Sequence, residues 1–199
     1  MKSTRIHLLR HGQVEGFEQK RYNGQGDVQL TDLGRQQSAA FAGRFQHKKL
    51  TAIYSSDLLR CRTAADQIAI LQEVKPIFKA ELRELHIGDW EGQTWGQLQK
   101  NYPELWQARL DDIVNVAPPG GESLVQLAER VRPAIKGIIT AHPGGEIVVV
   151  GHGGVNRVIL LDAIGAPLER MFHIEQDYGC HNIIEYFTDG IAVVKKLNG

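Results

Sequence analysis

The sequence has few cysteines, no net charge and no long hydrophobic run. Its 199 residues include two cysteines, Cys61 and Cys180, and its 23 basic residues balance 23 acidic ones. Two cysteines without C-x-x-C spacing are typical of reduced cytosolic thiols, although the number is compatible with one disulfide. Zero net charge gives no general attraction to nucleic acid or to an anionic membrane. The sequence shows no signal-peptide region and no membrane-spanning run, so we expect a cytoplasmic protein.

Repeats, low-complexity segments and interdomain linkers are also absent from the sequence. Residues 1–199 therefore predict a single domain with room for a sizeable core. Short apolar runs mark six candidate strands, at 5–10, 51–55, 74–78, 146–150, 181–187 and 191–197. The last two flank Thr188-Asp189-Gly190, and an Asp-Gly pair between apolar runs is typical of a hairpin.

Helical patterns lie between these strands. We expect one helix from a cap at Thr31 to about His47 and a second from a cap at Ser55 or Ser56 to about Leu71. A third helix should begin at a Ser123 cap, and Pro133 should kink or break this helix. A fourth should follow His152 directly. The alternation of strands and helices predicts an α/β fold, a three-layer α/β/α sandwich around a mostly parallel, mixed six-stranded sheet.

Two segments do not follow this pattern. The chain from Gly12 to Leu30 is polar and glycine-rich, and the chain from 81 to 119 holds three tryptophans, Trp90, Trp95 and Trp106, without a strand signal. Long connections in compact domains usually carry function. We therefore expect these two segments to form the substrate pocket.

A histidine follows the first strand in Arg10-His11-Gly12. A neutral imidazole is a competent nucleophile near pH 7 and can carry a phosphoryl group, while Arg10 offers a planar set of donors to phosphate oxygens. Gly12 permits close approach of the backbone. Taken alone, the motif is equally compatible with an ordinary surface Arg-His pair at a strand end.

A second histidine, His152, follows the fourth strand in Gly151-His152-Gly153-Gly154. The N–H groups at the start of the next helix favour an anion, with Gly153 among them. Because ligands of α/β sheets bind beyond the carboxyl ends of the strands, His11 and His152 are predicted to meet at one phosphate site. Taken alone, this motif is equally compatible with a glycine-rich turn and an incidental histidine.

Two arginines, Arg60 and Arg62, open the helix after the second strand, where the helix dipole favours acidic residues. A bound anion would account for cations at this position, although Arg62 is better explained as a solvated surface charge. Cleavage of a phosphate ester also needs a proton for the leaving oxygen. Glu84, Asp89 and Glu91 are all candidates, and their spacing does not choose among them.

These motifs together resemble the histidine phosphatase superfamily, in its phosphoglycerate mutase-like branch. The resemblance covers nearly the whole chain in the family's order, through Leu9-Arg10-His11-Gly12, Ser56 to Arg60, Leu82-Arg83-Glu84 with Gly88-Asp89-Trp90-Glu91-Gly92, and Val150-Gly151-His152-Gly153. It implies that His11 is the nucleophile that becomes phosphorylated and that Glu84 is the general acid. It further implies that Arg10, Arg60 and His152 hold the phosphoryl group, without a metal or another cofactor.

The chain departs from the family pattern after His11. Gln13 and Val14 stand where the family often has Glu-Thr, and Phe17 stands where it has a phosphate-binding asparagine. Gln13 or Asn23 is the proposed replacement. We count both as candidate substrate-binding residues, together with Gly24 and Gly153.

The predicted function is that of a phosphomonoesterase acting on a small phosphorylated metabolite, in a monomer or homodimer. A mutase uses the same chemistry, but mutases of this superfamily generally have a longer interval between the acid and the second histidine. The interval from Glu84 to His152 is short by comparison, which favours access of water and hydrolysis. Segments such as Arg21-Tyr22-Asn23-Gly24 and Phe172 to Cys180 are similar to α-ribazole phosphatases of cobalamin nucleotide-loop assembly and in part to broad-specificity phosphatases. The resemblance therefore predicts an α-ribazole 5′-phosphate phosphatase or a broad-specificity relative. Tyr22, Trp90 and Trp95 are candidates to stack on the base of α-ribazole 5′-phosphate, and they are equally compatible with a role as core or loop anchors. The alternatives are a phosphoglycerate mutase or a phospho-ligand-binding protein without catalysis.

Overall fold

The computed structural model describes residues 3–199. Within them lie six strands, Ser3–Arg10 (β1), Ala52–Ser55 (β2), Ile77–Phe78 (β3), Glu146–Gly151 (β4), His181–Phe187 (β5) and Ala192–Lys196 (β6). They form one sheet in the order β3-β2-β4-β1-β5-β6. The first four in this order are parallel, and β5 pairs antiparallel with β1 on one side and with β6 on the other. The mixed six-stranded sheet and the hairpin predicted at Asp189-Gly190 are both confirmed.

The same residues hold six α-helices, Asp32–Phe45 (α1), Leu59–Gln72 (α2), Trp95–Asn101 (α3), Pro103–Asp111 (α4), Leu124–Ala141 (α5) and Gly153–Ala163 (α6). Short 3₁₀ helices occupy Ala80–Leu82, Gly88–Trp90 and Leu168–His173. No helix within residues 3–199 combines the length and the apolar character needed to cross a membrane.

The core divides into two layers because successive side chains of a strand point to opposite faces. Ile6 and Leu8 of β1 pack with the buried faces of α5 and α6. Leu9 packs on the other face with residues of α1 and α2, among them Phe41 and Ile68. The predicted α/β/α sandwich is therefore confirmed.

Local sequence patterns predicted some helix ends correctly and others incorrectly. Thr31 caps α1, and Ser123 forms a capping box with Gln126 at the start of α5, as predicted. The prediction that Ser55 or Ser56 caps the next helix is wrong, because α2 begins at Leu59 without a side-chain cap. Of the kink or break predicted at Pro133, the break does not occur. Helix α5 continues through it, since Pro133 lies on the exposed face, where water can satisfy the freed carbonyl.

A buried pair of histidines joins β1 to β5. Nδ1 of His7 lies 2.9 Å from Nε2 of His181, and Nε2 of His7 lies 2.8 Å from Oε1 of Glu146. Burial lowers the pKa of His7, and burial followed by the charge of neighbouring groups lowers the pKa of His181 to about 3. The histidines of the unfolded chain keep a pKa near 6.5, so for His181 the unfolded chain binds more protons than the folded chain at pH values between about 3 and 6.5. The pair stabilises the fold fully above pH 6.5 and loses that contribution as the pH falls.

We expect the free energy of unfolding to drop below pH 6.5 by up to about 1.4 kcal/mol per pH unit for each histidine. Urea unfolding of the wild-type protein and of His181→Gln between pH 5 and 7.5 measures this slope. The variant should show a shallower dependence, and His173→Gln, at an exposed histidine, should keep the wild-type slope. Equal slopes in wild type and His181→Gln would exclude the pair as the cause.

Candidate active site

The two strand-end histidines meet at one edge of the sheet. β1 and β4 are parallel neighbours in which Arg10 pairs with Gly151, so His11 and His152 leave the sheet side by side. Their ring centroids are 5.1 Å apart. Both rings are buried, in the place that the strand pattern predicted.

The hydrogen bonds of His11 leave one ring nitrogen available. Nδ1 lies 2.8 Å from the carbonyl oxygen of Gly12 and donates to it, because a carbonyl only accepts. Burial, then the charges of Arg60 and Arg10, holds the pKa of His11 well below its usual value. Nε2 is therefore unprotonated, as a nucleophile requires. A Cβ on Gly12 would lie 2.2 Å from the carbonyl oxygen of Gly34, so this sharp exit from β1 requires glycine.

Arg10 is held by the loop that precedes β5. Its guanidinium donates to the carbonyl oxygen of Gln176 and lies 3.9 Å from the centre of the Tyr178 ring. The same loop reaches His11, since the backbone N–H of Gly179 donates to the His11 carbonyl at 3.0 Å. Tyr178 stacks on a residue predicted for phosphate binding, yet it was not predicted from the sequence.

Arg60 is buried in the first turn of α2. It donates to the carbonyl oxygens of Gly24 at 2.6 Å and Gly26 at 2.8 Å, and its Nε lies 3.3 Å from Nδ1 of His152. Gly24 lines the cavity but also positions Arg60 through its backbone. Glu91 accepts from the N–H of Gly24 at 3.0 Å, so this carboxylate holds the loop that orients Arg60.

Glu84 is the one of the three candidate carboxylates that lines the cavity with His11. Its two oxygens accept from the N–H of Leu85 at 2.9 Å and of Gly154 at 3.1 Å. A Cβ on Gly154 would lie 2.5 Å from Oε1 of Glu84, so the glycine lets the carboxylate approach α6. Asp89, by contrast, is exposed.

The cavity has a volume of about 620 Å³. Arg10, His11, Arg60 and Glu84 line it together, and most of the other lining residues come from the two long segments predicted for the pocket and from the region of Met171 to Tyr178. Within residues 3–199, no cluster of three or more His, Cys, Asp or Glu side chains has the geometry to hold a metal ion.

The four predicted substrate-binding residues occupy different places. Asn23 and Gly24 line the cavity. The side chain of Gln13 instead accepts from the Thr31 hydroxyl at 2.9 Å, beside the start of α1. Gly153 is the first residue of α6 and lies next to Arg10, because a Cβ on Gly153 would be 3.5 Å from the guanidinium carbon of Arg10. Their contacts with substrate stay predictions.

His152 is fully buried between α2 and β4. Nε2 lies 2.8 Å from the Ser56 hydroxyl, and burial followed by the charge of Arg60 holds the pKa of His152 well below its usual value. Ser56 was expected as a helix cap and is a neighbour of His152 instead. Its contact spans 96 positions of sequence, and no local pattern signals it.

Residues 6–198 match the family model described as histidine phosphatase superfamily, branch 1. A bifunctional protein of Mycobacterium tuberculosis is 33% identical over 98% of this chain and 54% of its own length. The chain thus spans about half the length of the first curated relatives it matches. A glucosyl-3-phosphoglycerate phosphatase of the same organism is 34% identical over 86% of this chain and 78% of that protein. The alpha-ribazole phosphatase of Shigella flexneri superposes with a TM-score of 0.90 at 26% identity, covering 98% of this chain and 96% of that one.

Proposed function

The chain belongs to the histidine phosphatase superfamily, and from this premise we propose that it is a phosphomonoesterase working through phosphorylated His11. One observation carries the proposal. His11 uses Nδ1 for its hydrogen bond to Gly12, which leaves Nε2 unprotonated, and it lines one cavity together with Arg10, Arg60 and Glu84. A nucleophile, two fixed cations and a carboxyl group are the parts that metal-free phosphoryl transfer needs.

The proposed reaction has two steps. Nε2 of His11 attacks phosphorus, a P–N bond forms, and the bond to the leaving oxygen breaks while Glu84 donates a proton to that oxygen. Water then attacks the phosphohistidine, Glu84 takes a proton from the water, and phosphate leaves. Arg10 and Arg60 stabilise the charge on the non-bridging oxygens in both steps.

Rapid chemical quench with ³²P-labelled substrate tests the intermediate. We expect protein-bound phosphate that is labile in acid and stable in base, as phosphohistidine is, and that forms within the first turnover. A protein that releases phosphate without any such species would contradict the proposal.

The proposed substrate is α-ribazole 5′-phosphate. The similarity to the Shigella alpha-ribazole phosphatase supports it, and Tyr22 and Trp95 line the cavity where the base would stack. The expectation for Trp90 is wrong, because its side chain is fully buried in a small core with Leu98 and Ile87 and cannot reach a ligand.

A second candidate is glucosyl-3-phosphoglycerate, whose leaving group carries a carboxylate. Arg109 favours it. This cavity residue is 4% exposed, its Nε lacks a hydrogen-bond partner, and no carboxylate in the described part of the chain pairs with it. Its guanidinium donates to the Val116 carbonyl and lies near Tyr22, and burial lowers its pKa. A buried guanidinium without an anion is costly, so an acidic substrate would stabilise it.

The values of kcat/KM for α-ribazole 5′-phosphate, glucosyl-3-phosphoglycerate, 3-phosphoglycerate and phosphoserine decide between the candidates. If the acidic substrate is native, Arg109→Gln should reduce its kcat/KM by about 10- to 100-fold relative to that of α-ribazole 5′-phosphate. The ratio of the kcat/KM values for two substrates, measured in one preparation, does not depend on the fraction of protein that is folded. Arg132→Gln, at an exposed arginine that pairs with Asp162, serves as control. Conversion of 3-phosphoglycerate to its isomer faster than phosphate release would indicate a mutase.

A further inference from the structure

A serine hydroxyl lies directly behind His152. Ser56 and His152 are both fully buried, with Ser56 Oγ 2.8 Å from Nε2. The sulfur of Cys61 lies 3.4 Å from the same nitrogen. Interior groups thus enclose Nε2, and Nδ1 is the nitrogen on the side of Arg60, which lines the cavity.

The hydrogen bonds determine which nitrogen of His152 carries the proton in this structure. A guanidinium only donates, so Nδ1 accepts from Arg60 Nε at 3.3 Å. Burial and the neighbouring positive charges keep the ring neutral, with a single proton. That proton is on Nε2, and the Ser56 hydroxyl accepts it in a hydrogen bond.

When a phosphoryl group binds in the site, the other nitrogen of His152 has to carry the proton. Arg60 then donates to the phosphoryl oxygens, and His152 can hydrogen-bond the same group only if Nδ1 carries the proton. Nε2 must in that case accept, and it needs a donor. The ring loses a proton at Nε2 and gains one at Nδ1, so its charge does not change.

We propose that Ser56 is a positioning residue that supports both tautomers of His152, accepting from Nε2 before the phosphoryl group binds and donating to it afterwards. A serine hydroxyl fills both roles by rotating one bond, whereas alanine fills neither. The backbone N–H of Leu58 donates to Ser56 Oγ at 3.3 Å, which anchors the oxygen while its hydrogen turns. This inference rests on the proposed phosphoryl-binding function of the site.

Ser56→Ala and Ser38→Ala form a matched pair of variants. Ser38 is also fully buried and hydrogen-bonded, at 2.9 Å to the Gly34 carbonyl, but it lies inside α1. We expect Ser56→Ala to weaken the binding of inorganic phosphate about tenfold and to lower kcat by a similar factor, as for one lost buried hydrogen bond. Ser38→Ala should leave both values unchanged.

NMR of the ¹⁵N-labelled histidine side chains reads the tautomer directly. His152 of the wild type should be protonated at Nε2 in phosphate-free protein and at Nδ1 with saturating phosphate, and Ser56→Ala should not make this change. The proposal is overturned if Nε2 stays protonated with phosphate bound, or if Ser56→Ala binds phosphate and changes tautomer as the wild type does. The phosphate-binding and NMR measurements do not require turnover. A protein that changes tautomer but hydrolyses no ester would contradict the proposed phosphatase and leave the role of Ser56 standing.

Discussion

His11→Ala is expected to lower kcat by at least about 10⁴-fold on every substrate the wild type hydrolyses. The variant loses the Nε2 nucleophile, and neither Arg10 nor Arg60 can replace it, because guanidinium groups stay protonated and do not attack phosphorus. Steady-state assays with α-ribazole 5′-phosphate and p-nitrophenyl phosphate measure the loss. Loss of an activated nucleophile typically removes nearly all the enzymatic rate, whereas the fixed donors that remain account for the residual activity.

Two controls separate lost chemistry from lost structure. His86→Ala changes an exposed histidine two residues from Glu84 that does not line the cavity, and it should keep wild-type activity. His11→Ala should still bind inorganic phosphate through Arg10 and Arg60. Unchanged hydrolysis by His11→Ala would end the phosphohistidine hypothesis, and a wild type that binds phosphate but hydrolyses nothing would favour the binding-protein alternative.

The periodic parts of the sequence predicted the fold well. The apolar runs before His11 and His152 become β1 and β4, which are buried on both faces and therefore read as continuous hydrophobic segments. Helices α3 and α4 were missed. They are short, with seven and nine residues, and pack on a small separate core around Trp90 and Leu98. Helices of two turns are too short for a hydrophobic period to identify.

Local sequence patterns without the family resemblance predicted the site where a reactive side chain adjoins the end of a strand or helix. His11, Arg60 and His152 follow strands or open helices, so topology alone placed them near one edge of the sheet. Tyr178 and Arg109 reach the cavity through contacts between segments that are distant in sequence, and no local pattern marks them. The contact of Arg10 with Gln176 spans 166 positions.

The segment after His11 shows the same limit. Phe17, which the resemblance predicts in the place of a phosphate-binding asparagine, does not line the cavity. Of the two proposed replacements, Asn23 lines the cavity while the Gln13 side chain bonds to Thr31. The geometry therefore favours Asn23, and its role at the phosphate stays a prediction.

Glu84→Gln is expected to lower kcat for an alkyl phosphate by about 10²- to 10⁴-fold. Glutamine has nearly the shape of glutamate and can still accept from Leu85 or Gly154, but it cannot donate a proton to a leaving alkoxide. A p-nitrophenolate leaves without a proton, so formation of phospho-His11 from p-nitrophenyl phosphate should slow far less. The two substrates thus separate acid catalysis from a general loss of the site.

The second step gives the sharper test, because water still needs Glu84 as a base. With p-nitrophenyl phosphate, the variant should release one equivalent of p-nitrophenol rapidly and then turn over slowly while phosphohistidine accumulates. Stopped-flow absorbance and acid-lability of the trapped phosphate measure both phases. Asp89→Asn, at the neighbouring exposed carboxylate, should show wild-type kinetics with both substrates. Equal losses for the two leaving groups without a burst would assign Glu84 to binding, and proton transfer would then have to come from another group.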